Sequence, residues 1–153
     1  MTKSTKCKLC QGVRILSETA LNTHGWRELL IPGFMSLIGP LRSCRKDGRK
    51  TYSLQTTARH ENAIGVIHGG VITSLLDQVL AMEAWNAADR APTVTVQMDT
   101  RFIASATSGD LLEARVTIRH ATRSMMFVDG EITADGALIA TATSVMKIIR
   151  KAS

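Results

Sequence analysis

The fold of this 153-residue chain is constrained most by one long apolar segment with a helical pattern, GVITSLLDQVLAMEAWNAAD, at residues 70–89. Apolar residues surround most of its helical wheel, which is typical of a helix buried inside a protein. The polar residues of its first half share one narrow stripe, because they are spaced by about one helical turn; they are Thr73, Ser74, Asp77 and Gln78. Burying a carboxylate is costly, so Asp77 is the first candidate for a functional residue.

Most of the remaining chain has the alternating pattern of β-strands. Strands are predicted before and after the helix, at residues 50–58, 93–103, 111–121 and twice within 124–149. Asp135-Gly136 is a strong signal for a two-residue hairpin between the last two. In the strand after the helix, the alternation places Val96 and Met98 on one face and Thr95 on the other. This order predicts an α+β domain, in which one curved antiparallel β-sheet wraps around one long buried helix.

The N-terminal part of the chain divides into an extension and the start of the domain. Residues 1–25 are polar and basic and are predicted to be an extension, whereas residues 26–153 are predicted to form a single domain. Residues 25–41 are apolar but interrupted by two proline-containing turns. This pattern predicts one short helix or two helical turns.

Charge and composition narrow the class of ligand. The net charge is +6 and the pI is about 9.7, yet aromatic residues make up only 4% and no long Lys/Arg block occurs. Few rings are available to stack on bases, so a phosphate-bearing small molecule is favoured over nucleic acid. No apolar run reaches membrane-spanning length, and the first residues do not resemble a signal peptide. We therefore expect a cytoplasmic protein without a membrane partner.

The three cysteines, Cys7, Cys10 and Cys44, do not suggest a disulfide framework. Cys7 and Cys10 have the C-x-x-C spacing of zinc and redox sites, but no second such pair follows. Reduced thiols are the favoured interpretation, and no metal is expected. Whether Cys7 and Cys10 bind a metal stays open at this point.

A His-Gly-Gly triplet at residues 68–70 stands where the helix is predicted to begin. The first N–H groups of a helix lack partners and lie at the positive end of its dipole. Glycine lets a substrate oxygen approach them closely, which favours an oxyanion hole at Gly69. With Asp77 as base or nucleophile, the pattern indicates acyl transfer to water, without a metal or an organic cofactor. A simple Gly-Gly turn, with Asp77 facing solvent, explains the same residues equally well.

The segment ENAIGVIHGGVITSLLDQVLAM resembles the signature of the hotdog-fold acyl-CoA thioesterases, and most closely that of the phenylacetic-acid-degradation thioesterase subfamily. The predicted order of helix and strands fits that fold over about residues 45–149. The positions that carry the resemblance are Asn62, Gly65, His68, Gly69, Gly70 and Asp77. The resemblance implies a hotdog fold and hydrolysis of an acyl- or aryl-CoA thioester to the free acid and CoA.

The resemblance also implies roles for individual residues. Asp77 would be the catalytic carboxylate, and the Gly69 N–H would polarise the thioester carbonyl. Asn62 would help to place the attacking water or the thioester. His68 would order the loop rather than act as a base; the alternative is that it only caps the helix or satisfies a backbone carbonyl. Thr95 stands where relatives carry a Ser or Thr on the strand after the helix.

Coenzyme A carries three phosphates, which gives the basic surface a role. Arg119 and Arg123 flank the turn after the third of these strands and are candidates to pair with phosphate. Ser124 in the same turn, and Gly70 at the start of the helix, are further candidates for substrate binding. Solvated arginines explain the turn equally well, and a protein-bound pantetheine thioester fits the same pattern.

Two other functions share the fold. A non-catalytic acyl-CoA-binding or regulatory hotdog protein would gain little from a carboxylate beside a thioester, so Asp77 disfavours it. An enoyl-CoA hydratase would use a His and a carboxylate in other motifs, which this sequence lacks.

The spacing of the two principal residues predicts more than one subunit. Gly69 and Asp77 are eight residues apart (77 − 69), about 12 Å along one helix, whereas an oxyanion donor and its catalytic partner act within about 3 Å of one thioester. Antiparallel helices in a two-fold dimer would bring Gly69 of one chain toward Asp77 of the other. We therefore predict a homodimer or homotetramer with composite sites: Asn62, His68 and Gly69 from one chain, Asp77 and Thr95 from its mate.

Overall fold

The computed structural model describes residues 25–149, which contain two α-helices, seven β-strands and a short 3₁₀ helix, Ala58–His60. The helices are α1, Phe34–Ile38, and α2, Gly69–Ala87. The strands are β1 Arg27–Leu29, β2 Leu41–Lys46, β3 Arg49–Gln55, β4 Thr93–Phe102, β5 Leu111–Ala121, β6 Met125–Ala134 and β7 Ala137–Ile148.

The seven strands form one sheet in the order β1-β2-β3-β5-β6-β7-β4, and all its ladders are antiparallel. The strand that follows α2 therefore returns to the far edge of the sheet, where it pairs only with β7 among the strands described. The α+β prediction of one long helix against an antiparallel sheet is confirmed. The predicted extension, residues 1–25, lies outside the described residues except for Gly25.

The core lies between α2 and the inner face of the sheet. Leu75, Leu76, Val79 and Leu80 of α2 are completely buried. On β6, a Cβ at Gly130 would lie 3.1 Å from Leu76 Cδ2, so glycine at this position lets the helix approach the sheet closely. The helix is buried, as its apolar pattern predicts.

Two strands, β1 and β2, precede β3, which corresponds to the first strand predicted from the sequence. The β2–β3 hairpin turns at Asp47 and Gly48, which have φ angles of 53° and 75°, the left-handed values that a two-residue hairpin requires. The prediction for residues 25–41 missed strand β1, but its short helix corresponds to α1.

A β-bulge corrects the faces predicted for β4. The register with β7 shifts between Thr95 and Gln97, so the extra residue reverses the alternation at that point. Val96 is consequently 57% exposed, whereas Met98 packs against the core. Thr95 faces α2, on the side where Met98 lies. The prediction that Val96 and Met98 share a face was therefore wrong.

Within residues 25–149, neither helix has the length and apolar character that crossing a membrane requires. In the same range, no three His, Cys, Asp or Glu side chains are grouped so that they could hold a metal ion. Cys44 is a half-buried free thiol whose pKa is raised, chiefly by burial and secondarily by Glu113. Cys7 and Cys10 lie outside the described residues.

Candidate active site

His68 caps the N-terminus of α2. Its Nδ1 accepts a hydrogen bond from the Gly70 N–H at 2.8 Å, and its carbonyl oxygen accepts from the N–H groups of Val71 and Ile72. Within residues 25–149, the Gly69 N–H has no acceptor. The cap therefore satisfies the neighbouring amides and leaves the one at Gly69 able to bind a substrate oxygen.

Steric contacts explain why glycine occupies both positions after His68 in the triplet. A Cβ at Gly70 would lie 2.9 Å from His68 Nδ1, so a side chain there would disturb the cap. A Cβ at Gly69 would lie 3.3 Å from the ring of Phe102, which covers the start of the helix. Phe102 was not predicted as a site residue, because only the packing of β4 against α2 brings its ring to Gly69.

Asn62 orders the loop that leads to the helix. Its Oδ1 accepts from the N–H groups of Ile64 and Val66 at 3.0 and 3.3 Å, and its own N–H donates to the Val66 carbonyl. The side-chain oxygen is thereby engaged, so the Nδ2 amide is the group able to donate elsewhere. In the described part of the chain, that amide has no acceptor.

A buried histidine, His60, connects this loop to α1. Its Nδ1 accepts from the Thr57 N–H at 3.0 Å, and its Nε2 donates to the Ile38 carbonyl at 2.9 Å. Its own carbonyl accepts from the His68 N–H at 2.8 Å. No sequence motif marks His60, since its partner at Ile38 lies 22 residues away.

Asp77 is half-buried and is held by the strand after the helix. Thr95 Oγ1 donates to Asp77 Oδ1 at 2.7 Å. Among the described residues, no group donates to Asp77 Oδ2. Asp77 thus has one oxygen that fixes its orientation and one that is able to accept a proton or attack a carbonyl.

The other carboxylate of α2 is differently placed. Glu83 Oε1 accepts from the buried Tyr52 hydroxyl and, at 3.3 Å, from Asn86 Nδ2. Burial first, and then this bond to Glu83, raise the pKa of Tyr52 far above its usual range. Glu83 therefore ties the helix to β3, while Asp77 faces open space.

That space is a cavity of about 330 Å³ against the first half of α2. Polar residues of the helix line one side, and apolar residues from α1, from the segment before it and from β4 line the other: Pro32, Phe34, Met35, Thr73, Ser74, Asp77, Gln78 and Met98. The helical stripe predicted from the sequence faces this cavity. An apolar acyl group next to a carboxylate fits such a lining.

The predicted phosphate contacts lie apart from this cavity. Arg119 forms an ion pair with Asp129, on the face of the sheet that points away from α2. Ser124 lies in the β5–β6 turn, where its carbonyl accepts from the Ile148 N–H. Ile148 pairs with Thr93 of β4, so this turn lies at the end of the sheet where Thr95 is found. Within one chain, the structure does not bring Arg119, Arg123 or Ser124 to Asp77.

Comparison with known proteins identifies the family. The model of the thioesterase superfamily matches residues 64–140, half of the chain. The chain belongs to the thioesterase superfamily. Human acyl-coenzyme A thioesterase 13 is 30% identical over 95 residues, which cover 61% of this chain and 68% of that relative.

Solved structures of thioesterases share the fold of this superfamily member. A phenylacetic acid degradation-related protein from Ralstonia eutropha superposes with a TM-score of 0.68 at 28% identity, covering 77% of this chain and 91% of that one. A hypothetical thioesterase from Streptococcus pneumoniae, solved with coenzyme A, superposes with a TM-score of 0.66 at 22% identity, covering 74% and 91%. The predicted hotdog fold and the resemblance to its thioesterases are confirmed.

Proposed function

We propose that this protein hydrolyses acyl-CoA thioesters to a free acid and CoA. The observation that carries the proposal is the hydrogen bonding of the Asp77 carboxylate. Thr95 donates to one oxygen and orients the group, whereas the other oxygen has no donor among the described residues and faces a cavity with apolar residues along one side. The acyl-CoA thioesterase named among its relatives, and the neighbour solved with coenzyme A, support the same substrate class.

The chemistry needs two groups of this chain. The thioester carbonyl oxygen accepts from the Gly69 N–H, which stabilises the negative charge that develops there. Asp77 either takes a proton from the attacking water or attacks the carbonyl carbon itself. The C–S bond then breaks, and the CoA sulfur leaves and is protonated. In the second route, water subsequently hydrolyses the anhydride formed with Asp77.

We further propose that the two groups meet across a dimer. β4 offers a ten-residue edge whose side chains Val94, Val96 and Phe102 are exposed, and such an edge favours pairing with another strand. A second copy paired there would place the partner subunit's Asp77 and Thr95 toward Asn62, His68 and Gly69 of the first chain. A tetramer of two such dimers is compatible with this arrangement.

For the CoA phosphates we propose contacts from Arg119, Arg123 and Ser124, with Gly70 near the thioester. Phosphate pairing is weakened by salt, so KM for acyl-CoA is expected to rise with ionic strength while kcat changes little. A pantetheine thioester without the nucleotide would not show this dependence. A cytoplasmic location stays a prediction.

The proposal is tested with a panel of acyl- and aryl-CoA thioesters and a thiol reagent that detects free CoA. Asp77→Asn keeps the shape of the side chain but removes the base or nucleophile, so kcat is expected to fall by about 10²-fold or more. Asp99→Asn is the matched control, because Asp99 is an exposed carboxylate on β4 that accepts only from Gln97 among the described residues. A folded Asp77→Asn protein with the turnover of Asp99→Asn would contradict the assignment. Binding of acyl-CoA without turnover by the unmodified protein would favour a non-catalytic binding protein instead.

A further inference from the structure

A second cavity adjoins the one that contains Asp77. It has a volume of about 390 Å³ and lies among β1, α1 and the start of β2. We call it the rear cavity and the Asp77 cavity the front cavity. Most of its lining is apolar, from Leu29, Leu30, Ile31 and Leu41, and Glu28 and Ser36 are its polar members. Each cavity alone has the size of a small-molecule site, about 300–1,000 Å³.

The two cavities share part of their walls. Pro32 and Met35 line both, so these two residues form the partition between Asp77 and the rear cavity. Met35 is 6% exposed. Methionine is unbranched and flexible, so its side chain adapts to a neighbour more readily than a branched one. The partition is therefore a place where an apolar chain is able to pass.

We propose that the acyl chain of the thioester runs from Asp77 past Met35 into the rear cavity, so that long unbranched acyl groups are preferred substrates. This inference rests on the proposed thioesterase function, because the front cavity places the thioester at Asp77. The front cavity receives the first carbons, and the rear cavity removes the remaining methylene groups from water. Met35 thus acts as a specificity-determining residue.

The test uses straight-chain acyl-CoA thioesters of increasing length and two neighbouring variants of α1. Ser36 lines only the rear cavity, whereas Leu37 lines neither cavity and is 67% exposed. Ser36→Trp places a large side chain at the wall of the rear cavity and leaves the lining of the front cavity unchanged, and Leu37→Trp is the matched control. In the unmodified protein, kcat/KM is expected to rise about fourfold for each methylene group that enters the rear cavity.

Ser36→Trp is expected to lower the ratio of long-chain to short-chain kcat/KM by tenfold or more. Leu37→Trp is expected to keep the chain-length profile of the unmodified protein. Met35→Ala widens the partition and is expected to raise the same ratio, which gives a second measurement of opposite sign. Because the ratio is taken within one variant, a uniform loss of folded protein does not change it.

Two outcomes would overturn the inference. One is a chain-length profile for Ser36→Trp that equals that of Leu37→Trp. The other is an unmodified protein that hydrolyses short acyl-CoA but gains nothing from longer chains. In both cases short-chain turnover persists, so the proposed function survives. Failure to hydrolyse acyl-CoA of any length would instead contradict the proposed function itself.

Discussion

At the scale of single residues, two backbone N–H groups of the His-Gly-Gly triplet have different roles, one in capping the helix and one in the proposed reaction. His68 Nδ1 accepts from the Gly70 N–H, while the Gly69 N–H has no acceptor in residues 25–149. The imidazole is therefore used as a helix cap, and its role need not include proton transfer. What the proposed reaction requires from this triplet is one N–H group.

That requirement is testable at Gly69 itself. Gly69→Pro removes the N–H, and proline is well tolerated at the first position of a helix. Gly69→Ala is the matched control, since it adds a Cβ against the Phe102 ring but keeps the N–H. We expect Gly69→Pro to lower kcat by about 10²–10³-fold, the usual effect of losing an oxyanion-hole donor, and Gly69→Ala to lower it much less. Equal losses in two folded variants would mean that crowding by the added carbon, not the missing N–H, is responsible.

The site was predictable from the sequence where it depends on local pattern. The spacing of one helix places Asp77 in a polar stripe, and the triplet marks the start of that helix at Gly69. Phe102 and His60 could not be found in this way, because their contacts join segments far apart in the chain. The sequence predicted the cap formed by His68 only as an alternative to a role in ordering the loop.

At the scale of elements, α1 and the loop before α2 are joined through His60. Both ring nitrogens are used, one on each segment, and the side chain is buried. This connection links the wall of the Asp77 cavity to the segment that carries Asn62 and His68. The strength of the connection therefore bears on both the stability and the alignment of the site.

His60→Ala is expected to lower the free energy of unfolding by about 1–3 kcal/mol, because it leaves the carbonyl of the buried Ile38 and the Thr57 N–H without their partner. His120→Ala, at an exposed histidine of β5, is the control and is expected to change stability by less than about 0.5 kcal/mol. Chemical denaturation of both variants measures the difference. Equal midpoints and slopes for the two would show that the connection through His60 contributes little.

Strands were predictable where apolar and polar residues alternate, as in β5 and around the Asp135-Gly136 turn. Strand β2 has no such alternation, because its inward position 43 carries a buried serine, between Arg42 and Cys44. The Asp47-Gly48 turn was therefore overlooked although it is the same dipeptide signal. In β4 the bulge adds a residue, and a strict period of two cannot reveal it.

At the scale of the whole molecule, the proposed site is incomplete in one chain. Gly69 lies at the start of α2 and Asp77 about two turns later, on the side held by Thr95 of the edge strand. The edge position of β4 supplies the surface through which a second copy would complete the site. Composite sites make a definite prediction for mixed dimers.

Co-expression of a Gly69→Pro subunit with an Asp77→Ala subunit tests that prediction. Each variant alone is expected to be inactive, whereas a mixed dimer has one intact site of two and is expected to regain about half of the activity per dimer. Separate affinity tags isolate the mixed dimers. Mixed dimers that carry both changes in the same subunit are the control, because composite sites leave them with no intact site, whereas sites within one chain would leave them with one. Isolated mixed dimers that form but stay inactive would show that both groups act within one chain.

If the site is completed by pairing at the exposed edge of β4, the number of working sites depends on the concentration of the chain. When the concentration of the chain is below the dissociation constant of the proposed dimer, the concentration of dimer varies with the square of the chain concentration. Halving the number of chains then leaves about a quarter of the working sites. The same edge, on which Val96 and Phe102 are exposed, is able to pair with strands of other proteins before the dimer has formed. The activity would then depend on the concentration of the chain as well as on the chemistry of Asp77.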